Sequence, residues 1–334
     1  MEKVGWEGLA LVTGAAGFMG SHVVEHLVSL GVKVRATARP RRDTSFFDRL
    51  GVEFVPADLT RPETLPRLFE GGVNRVFHLG AVCNFSTPYE RLKPTNVDGV
   101  LHLTGLALKN NVKRFLHVTS TSVYGYGDGR PFTEDSPRDP RDAYARSKRD
   151  GEDVVLSRLR EGLPAVIVRP CTVYGPRCND GAGKVFSRPS KIAAVPGSGR
   201  QRLSNIRAED VAAALVHLAD LPEAVGQAYN VAEDVWPTLE EALTLAAGTY
   251  GVKPPALHLP LGLIKTLARV DGFISGLRGR IPDIEYDAVG YLYRDYLVDN
   301  AKLKATGFKL RYPDFTASMN DLGERYRKDK GEKS

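Results

Sequence analysis

The chain has little cysteine, three residues in 334, and no apolar run approaching the roughly 20 residues that cross a bilayer. Cys83, Cys171 and Cys178 are odd in number and lack metal-ligand spacing. That argues against a disulfide framework or a cysteine-based zinc site, and leaves buried or incidental thiols in a reducing, cytoplasmic setting. His22 and His26 stand four apart in "SHVVEH", but the glutamate of a zinc-binding helix is not placed with them, so no metal is expected. Basic residues outnumber acidic ones by only six (46 against 40), and they are scattered except in "ARPRRD" and the tail "ERYRKDKGEKS". Without interleaved aromatics or a docking motif, this charge gives no support to a nucleic-acid partner. The N-terminus "MEKVGWEGLALVTG" carries Glu2, Lys3 and Glu7, and its apolar run leads directly into a glycine turn, as a first strand does and a leader peptide does not. At 42% hydrophobic and 26% charged, the composition is that of an ordinary soluble globular protein.

Residues up to about 175 alternate short β-rich runs with helical stretches. "GLALVTG", "KVRATA", "VEFVPADL", "NRVFHLGA", "KRFLHVTS" and "PAVIVRP" read as strands. "GFMGSHVVEHLVSLG" places Phe18, Val23, Leu27 and Leu30 on one helical face, and a long helix is expected near "TNVDGVLHLTGLALKN". This order predicts an α/β fold, a doubly wound parallel (Rossmann) sheet with its ligand site at the carboxyl ends of the strands. Beyond Pro170, glycine and proline become frequent and the elements shorten. A smaller, partly interleaved lobe is expected over 176–204 and 236–325, with 205–235 returning to the first domain and 326–334 a frayed end. "TLEEALTLAAGTYG" is a helix capped by Thr238, with Gly251 beyond its end.

"TGAAGFMG" (Thr13 to Gly20) joins the first strand to the first helix. Gly14 permits the tight turn, Gly17 lets a pyrophosphate approach the backbone, and Gly20 allows close packing. Ala16, Phe18 and Met19 complete the cradle at a helix N-terminus, where free N–H groups favour an anion. An NAD site places an acid about 20 residues further on, to hold the ribose 2′-hydroxyl. Here "KVRATARPRRD" has Ala38 at that point, followed by Arg39, Arg41 and Arg42. Guanidinium groups in place of a carboxylate suit a 2′-phosphate, so the cofactor expected is NADP, with tighter binding of NADPH than NADH. Asp58, with Leu59 beside it, ends the third strand. Two roles are open to it: accepting from the adenine amino group, or capping the helix after Thr60.

In "DAYARSKRDGE", Tyr144 and Lys148 are four apart, on nearly one face of a helix. A free phenol titrates near 10, too high for a base at neutral pH. An ammonium reaching beneath the hydroxyl favours phenolate, and Tyr144 then exchanges a proton with a carbonyl or alcohol oxygen.

Seven motifs stand in order: "TGAAGFMG", "ADL", "HLGA", "NVDG", "VTSTSVYG", "YARSK" and "RPCTVYGP". Together they resemble the extended short-chain dehydrogenase/reductase family, over at least residues 8–235 and more loosely through "DNAKLKATGFKLRYPDF". Its members include nucleotide-sugar epimerases and dehydratases, hydroxysteroid dehydrogenases and flavanone-type reductases. The resemblance implies that Ser120 binds the substrate oxygen, with Ser122 as second candidate. It further implies that Tyr144 and Lys148 are catalytic, that Lys148 also binds the nicotinamide ribose, and that Asn96 supports the backbone positioning the lysine. Gly80, Ala81, Pro170, Thr172 and Val173 would line the cofactor. Relatives often dimerise through helices that fall here at 89–110 and 142–160.

Family members that take nucleotide sugars usually have asparagine where this chain has Thr172 and arginine where it has Leu203, although Arg202, Arg207 and Lys184 are available as replacements. The expectation is therefore an NADPH-dependent oxidoreductase interconverting a ketone and a secondary alcohol on a small or lipid-like substrate. The alternatives are an epimerase or dehydratase with tightly bound NAD and a non-catalytic dinucleotide sensor. The apolar run "LPLGLIKTLARVDGFISGL" reads first as core packing, and otherwise as a wall for a lipid-like substrate or a partner-helix face.

Overall fold

The computed structural model describes residues 6–40, 44–179, 181–188, 194–278, 282 and 284–331. Six strands come first: β1 (Leu9–Thr13), β2 (Lys33–Thr37), β3 (Glu53–Phe54), β4 (Val73–His78), β5 (Arg114–Val118) and β6 (Ala165–Pro170). The short β7 (Thr172–Tyr174), β8 (Val195–Pro196) and β9 (Asn205–Arg207) precede β10 (Ala228–Val231) and β11 (His258–Leu259). The main sheet runs β10-β6-β5-β4-β1-β2-β3 with every neighbour parallel, while β7 pairs with β9 and β11 with β8. Every residue of β5 (RFLHV) and β6 (AVIVRP) is buried, as strands covered on both faces must be.

The helices among and after these strands are α1 (Phe18–Ser29), α2 (Ser45–Leu50), α3 (Tyr89–Lys93), α4 (Gly99–Lys109), α5 (Ala143–Arg160), α6 (Lys184–Ser187) and α7 (Ala208–Asp220). One core joins Val23 and Leu27 of α1 to Val211 and Leu215 of α7, over Val12, Leu116 and Val168 of the sheet. The opposite core joins Leu103 and Ala107 of α4 to Val155 of α5, over Leu11, Phe115 and Ile167. Strand alternation produces this division, since Leu11 and Val12 point to opposite faces. The expected doubly wound α/β sheet is the fold.

A third core lies among α6, α8 (Leu239–Thr249) and α11 (Phe315–Asp329), around Tyr174, Leu243 and Met319. Between α8 and α11 come α9 (Leu261–Leu277) and α10 (Ala301–Ala305). Thr238 caps α8 and Gly251, at φ +67°, lies past its end, as the sequence suggests, and Glu241 completes a capping box with Thr238.

Four elements depart from expectation. β3 is two residues long, because Pro56 interrupts it, yet Val55 and Ala57 still donate to the Ala36 and Ala38 carbonyls (3.0 and 3.2 Å). Asp58 therefore reaches the sheet's carboxyl end from beyond the strand. The long helix opens as a π turn over Pro94–Asp98 before α4 begins. α9 does not pack in the core: among its residues only Ala268 and Ser275 are buried. α11 continues to Asp329, so residues 326–329 of the expected frayed end are helical.

Candidate active site

β1 lies between β2 on one side and β4 on the other, so the chain direction of the crossovers reverses there and a crevice opens at the carboxyl ends. Gly14 and Gly80 meet in that crevice. A Cβ on Gly14, which has φ +66°, would come within 2.8 Å of the Gly80 Cα, and one on Gly20 would strike the Gly14 carbonyl oxygen at 2.1 Å. Gly17 caps α1 with no side-chain hydrogen bond, and the first turn of α1 holds no acid. Ala16, Phe18 and Met19 are half-buried beside it, whereas Gly17 is exposed. These residues fit a pyrophosphate: the turn is stripped of side chains and presents helix N–H groups. Leu59 is wedged against Gly80 and Gly99, where added Cβ atoms would meet it at 2.8 and 2.9 Å.

Arg39 is exposed just beyond β2, while Arg41 and Arg42 lie outside the described residues. Asp58 Oδ1 accepts from the Thr60 N–H and hydroxyl (2.9 and 2.8 Å). Partial burial raises the Asp58 pKa, but the Thr60 bonds and the charges of Arg39 and Arg61 outweigh it and leave the carboxyl below its ordinary value. Asp58 thus stays ionised close to Arg39, with Oδ1 used for the local turn.

Tyr144 sits in the first turn of α5, which Asp142 caps by accepting from the Ala145 N–H at 2.7 Å. The phenol is buried, and its hydroxyl contacts Ser120 and Cys83 by hydrogen bonds. Burial and then Cys83 hold its pKa well above 10, and Ser120 opposes them. Ser120 caps the 3-10 turn Thr121–Tyr124, two residues past β5. Ser122 is buried with its hydroxyl unpartnered among the described residues, so of the two serines it is Ser120 that faces the phenol. Cys83 corrects the reading of the thiols: Cys171 and Cys178 are buried, but Cys83 is exposed and touches the tyrosine.

Lys148 lies one turn on, as the spacing requires, yet its ammonium donates to the Val118 carbonyl at 2.9 Å. The phenol's own bonds go instead to Ser120 and Cys83. Burial lowers Lys148 to about 8. Below it, His78 stacks on His117 at 5.4 Å, and His78 Nδ1 lies 2.7 Å from the Thr13 hydroxyl, which accepts from the Gly80 N–H. Burial pushes His78 down to about 3 and His117 well below its ordinary value, so both rings are neutral.

Asn96 ties these parts together from within the π turn. Its Nδ2 donates to the Val82 carbonyl and to Ser147 Oγ (2.9 Å each), and its Oδ1 accepts from the Val82 N–H at 2.8 Å. The loop holding Cys83 is thereby fastened to α5. Gly151 makes the contact possible, since a Cβ there would stand 2.6 Å from the Asn96 carbonyl oxygen. A glycine inside a helical pattern is the signal that was available in the sequence.

A model of the NAD dependent epimerase/dehydratase family matches residues 10–232. The chain belongs to that family. It is 31% identical over 271 residues to UDP-glucose 4-epimerase of Mycolicibacterium smegmatis, covering 75% of this chain and 85% of the relative. It is 32% identical over 274 residues to ceramide reductase of Caulobacter vibrioides, covering 80% and 79%. Its fold matches the structure of UDP-glucose 4-epimerase with UDP-glucose from Thermotoga maritima, with TM-score 0.77, 22% identity, and 96% and 99% of the two chains covered.

For a member of this epimerase/dehydratase family, the groups around the cleft bear on the substrate. Phe85 stands edge-on to Tyr144 at 4.9 Å and to Tyr291 at 5.5 Å, and Tyr291 stands edge-on to Tyr126 at 5.0 Å. A cavity of about 340 Å³ adjoins them, between Phe85, Ala143, Ala268, Gly272 and Tyr286. A larger recess of about 500 Å³, bounded by Val235, Phe315 and Asn320, holds none of the predicted site residues. Of the basic residues available for a diphosphate, Arg202 is paired with Asp295 at 2.7 Å. Arg207 is buried and bonded to Glu209, Asp321 and Ser318. Lys184 is half-buried at the start of α6. Pro170 closes β6, and Thr172 and Val173 are half-buried in β7. Ala81 is exposed just past Gly80.

Proposed function

We propose that the chain is an NADPH-dependent oxidoreductase that interconverts a ketone and a secondary alcohol on a small or lipid-like substrate. The carrying observation is the setting of Tyr144, a phenol kept protonated by burial, bonded to Ser120, at the inner end of an aromatic-walled cleft. Gly14 and Gly17 would hold the pyrophosphate, Arg39 the 2′-phosphate and Lys148 the nicotinamide ribose, with Gly80, Ala81, Pro170, Thr172 and Val173 along the ring. When bound, the nicotinamide supplies or accepts the hydride. Ser120 orients the substrate oxygen, and Tyr144 gives it a proton in reduction or takes one in oxidation. Asn96 holds the Cys83 loop against α5, so that phenol, serine and lysine keep their spacing.

The apolar rings and the commitment of Arg202 and Arg207 to carboxylates favour a partly apolar substrate over a nucleotide sugar, as does the likeness to a protein named ceramide reductase. A second reading, an epimerase or dehydratase with bound NAD, draws on the similar likeness to a UDP-glucose 4-epimerase. NADPH absorbance across a panel of ketones, including long-chain carbonyls, separates the two. Net NADPH consumption with a ketone supports the first. Turnover of a UDP-sugar without net consumption, and no ketone reduction, selects the second.

A further inference from the structure

Helix α9 carries its apolar side outward. Leu263, Leu267, Val270, Phe273, Ile274 and Leu277 recur at helical spacing, and all are exposed, Phe273 by 70% and Leu277 by 74%. Thr266 is the one polar side chain within the stripe. The acid of this helix is turned away, because Asp271 accepts from Ser275 Oγ and from the Ile284 N–H (3.1 and 3.0 Å). Basic groups border the stripe. Arg269 and Arg278 are exposed, and Arg269 is steadied by donating to the Tyr286 hydroxyl at 2.9 Å. Lys265 lies 5.2 Å from the ring centres of both Tyr286 and Tyr293. Over residues 252–280 the sequence places Lys253, Lys265, Arg269, Arg278 and Arg280 against Asp271 alone.

We propose that α9 lies in the surface of an anionic membrane, with its stripe at the acyl boundary and Lys265, Arg269 and Arg278 among the headgroups. An apolar face with basic margins is the pattern of an interfacial helix, and Tyr293, half exposed beside Lys265, is of the residue type that favours that layer. None of the helices in the described residues is long and apolar enough to cross a membrane, so the contact is peripheral. A second copy of the chain packed on the same face would bring two basic margins together, which disfavours it as the occupant. The position of the helix agrees with its chemistry. Ala268, Arg269 and Gly272 of α9 line the cavity that Phe85 also lines, and Phe85 stands edge-on to Tyr144 at 4.9 Å. A membrane-seated α9 thus places the mouth of the cleft at the lipid surface. The docking itself does not depend on the reaction proposed above, because it is read without turnover.

The full chain is floated with vesicles of phosphatidylcholine, with and without phosphatidylglycerol, at low and high salt. The expected result is binding to the anionic vesicles that weakens with salt. The double variant Phe273→Ser, Leu277→Ser should weaken this binding roughly tenfold or more while leaving thermal stability and NADPH affinity unchanged. Lys265→Gln with Arg269→Gln should remove the preference for anionic lipid. Failure to bind either vesicle, equal binding to neutral lipid, or binding indifferent to the stripe variant would each overturn the proposal. So would a chain that dimerises through the stripe, becoming monomeric in the Phe273→Ser, Leu277→Ser variant, without touching lipid.

Discussion

Lys148 and Val118 are joined by a hydrogen bond of 2.9 Å from the ammonium to the last carbonyl of β5. That bond fixes a buried cation behind Tyr144, and its consequence is a pH dependence. Burial depresses Lys148 to about 8, so the ammonium is present at neutral pH and is lost as pH rises through that value. Tyr144, raised by burial and by Cys83, stays protonated over the same range. Ketone reduction should therefore have a flat kcat/KM below about pH 8 and fall above it. Lys148→Arg, permanently charged, should lose that fall, and Lys148→Met should be slow at every pH. Initial rates across the pH range check all three, and an unchanged alkaline limb in Lys148→Arg would assign the fall to another group.

Removing the phenol tests the proposed proton donor directly. Tyr144→Phe should lower kcat by roughly 10²–10⁴-fold while the NADPH dissociation constant stays close to that of the parent. Cys83→Ala should act more subtly. The thiol raises the phenol's pKa, so its loss should shift the rise of alcohol oxidation with pH towards lower pH. Oxidation rates that rise over the same range in both proteins would dismiss the thiol as a neighbour of consequence.

Much of the fold was legible because the signals are local. Short β-rich runs alternating with helical stretches specify a parallel sheet, and Thr238 announces the start of α8. The glycine turn was legible for the same reason, since Gly14 needs its positive φ and Gly20 its missing Cβ. What escaped depends on contacts between distant segments. Nothing near Lys148 in sequence says that its ammonium will meet the Val118 carbonyl, or that Cys83 will meet Tyr144, 61 positions further along the chain. The run 260–280 escaped for a different reason. A helix with an apolar stripe reads as core packing whenever the pattern alone is consulted, and only the exposure of Phe273 and Leu277 reverses the face.

On the proposed function cofactor choice turns on Arg39, which is exposed past β2 near the ionised Asp58. Arg39→Asp should weaken NADPH roughly tenfold or more and bring NADH to parity or better, since a carboxylate repels a 2′-phosphate and accepts from a 2′-hydroxyl. Isothermal titration with both dinucleotides decides it. A variant that keeps the parent's ratio would shift the selectivity elsewhere.

Gly151 is the test of the π-turn contact. An alanine there would press its Cβ to 2.6 Å from the Asn96 carbonyl oxygen, a backbone atom with little room to retreat. Gly151→Ala should cost about 1–3 kcal/mol of stability. It should also lower kcat more than it raises KM, because Asn96 carries both the Cys83 loop and Ser147. Gly248, itself exposed on α8 with nothing among the described residues within 4 Å of its added Cβ, is the control, and Gly248→Ala should leave both quantities intact.

Glu233 is buried and accepts from the Tyr174 hydroxyl of β7 at 2.5 Å, while its second oxygen has no partner among the described residues. Burial is the main cause that lifts its pKa to about 8, with Asp210 and Asp314 adding to it. In the unfolded chain a glutamate titrates near 4.3, so the folded state binds the extra proton between the two values. A raised pKa of this kind contributes stability that is complete below the unfolded value and is lost as pH climbs through the folded one. The melting temperature should therefore decline from about pH 5 to about pH 8. Glu233→Gln, neutral throughout, should melt close to the parent at the acid end and above it at the alkaline end. Calorimetry at both pH values reads the difference. Parallel curves for the two proteins would mean that Glu233 titrates near its ordinary value and that the buried cluster around Tyr174 tolerates the charge.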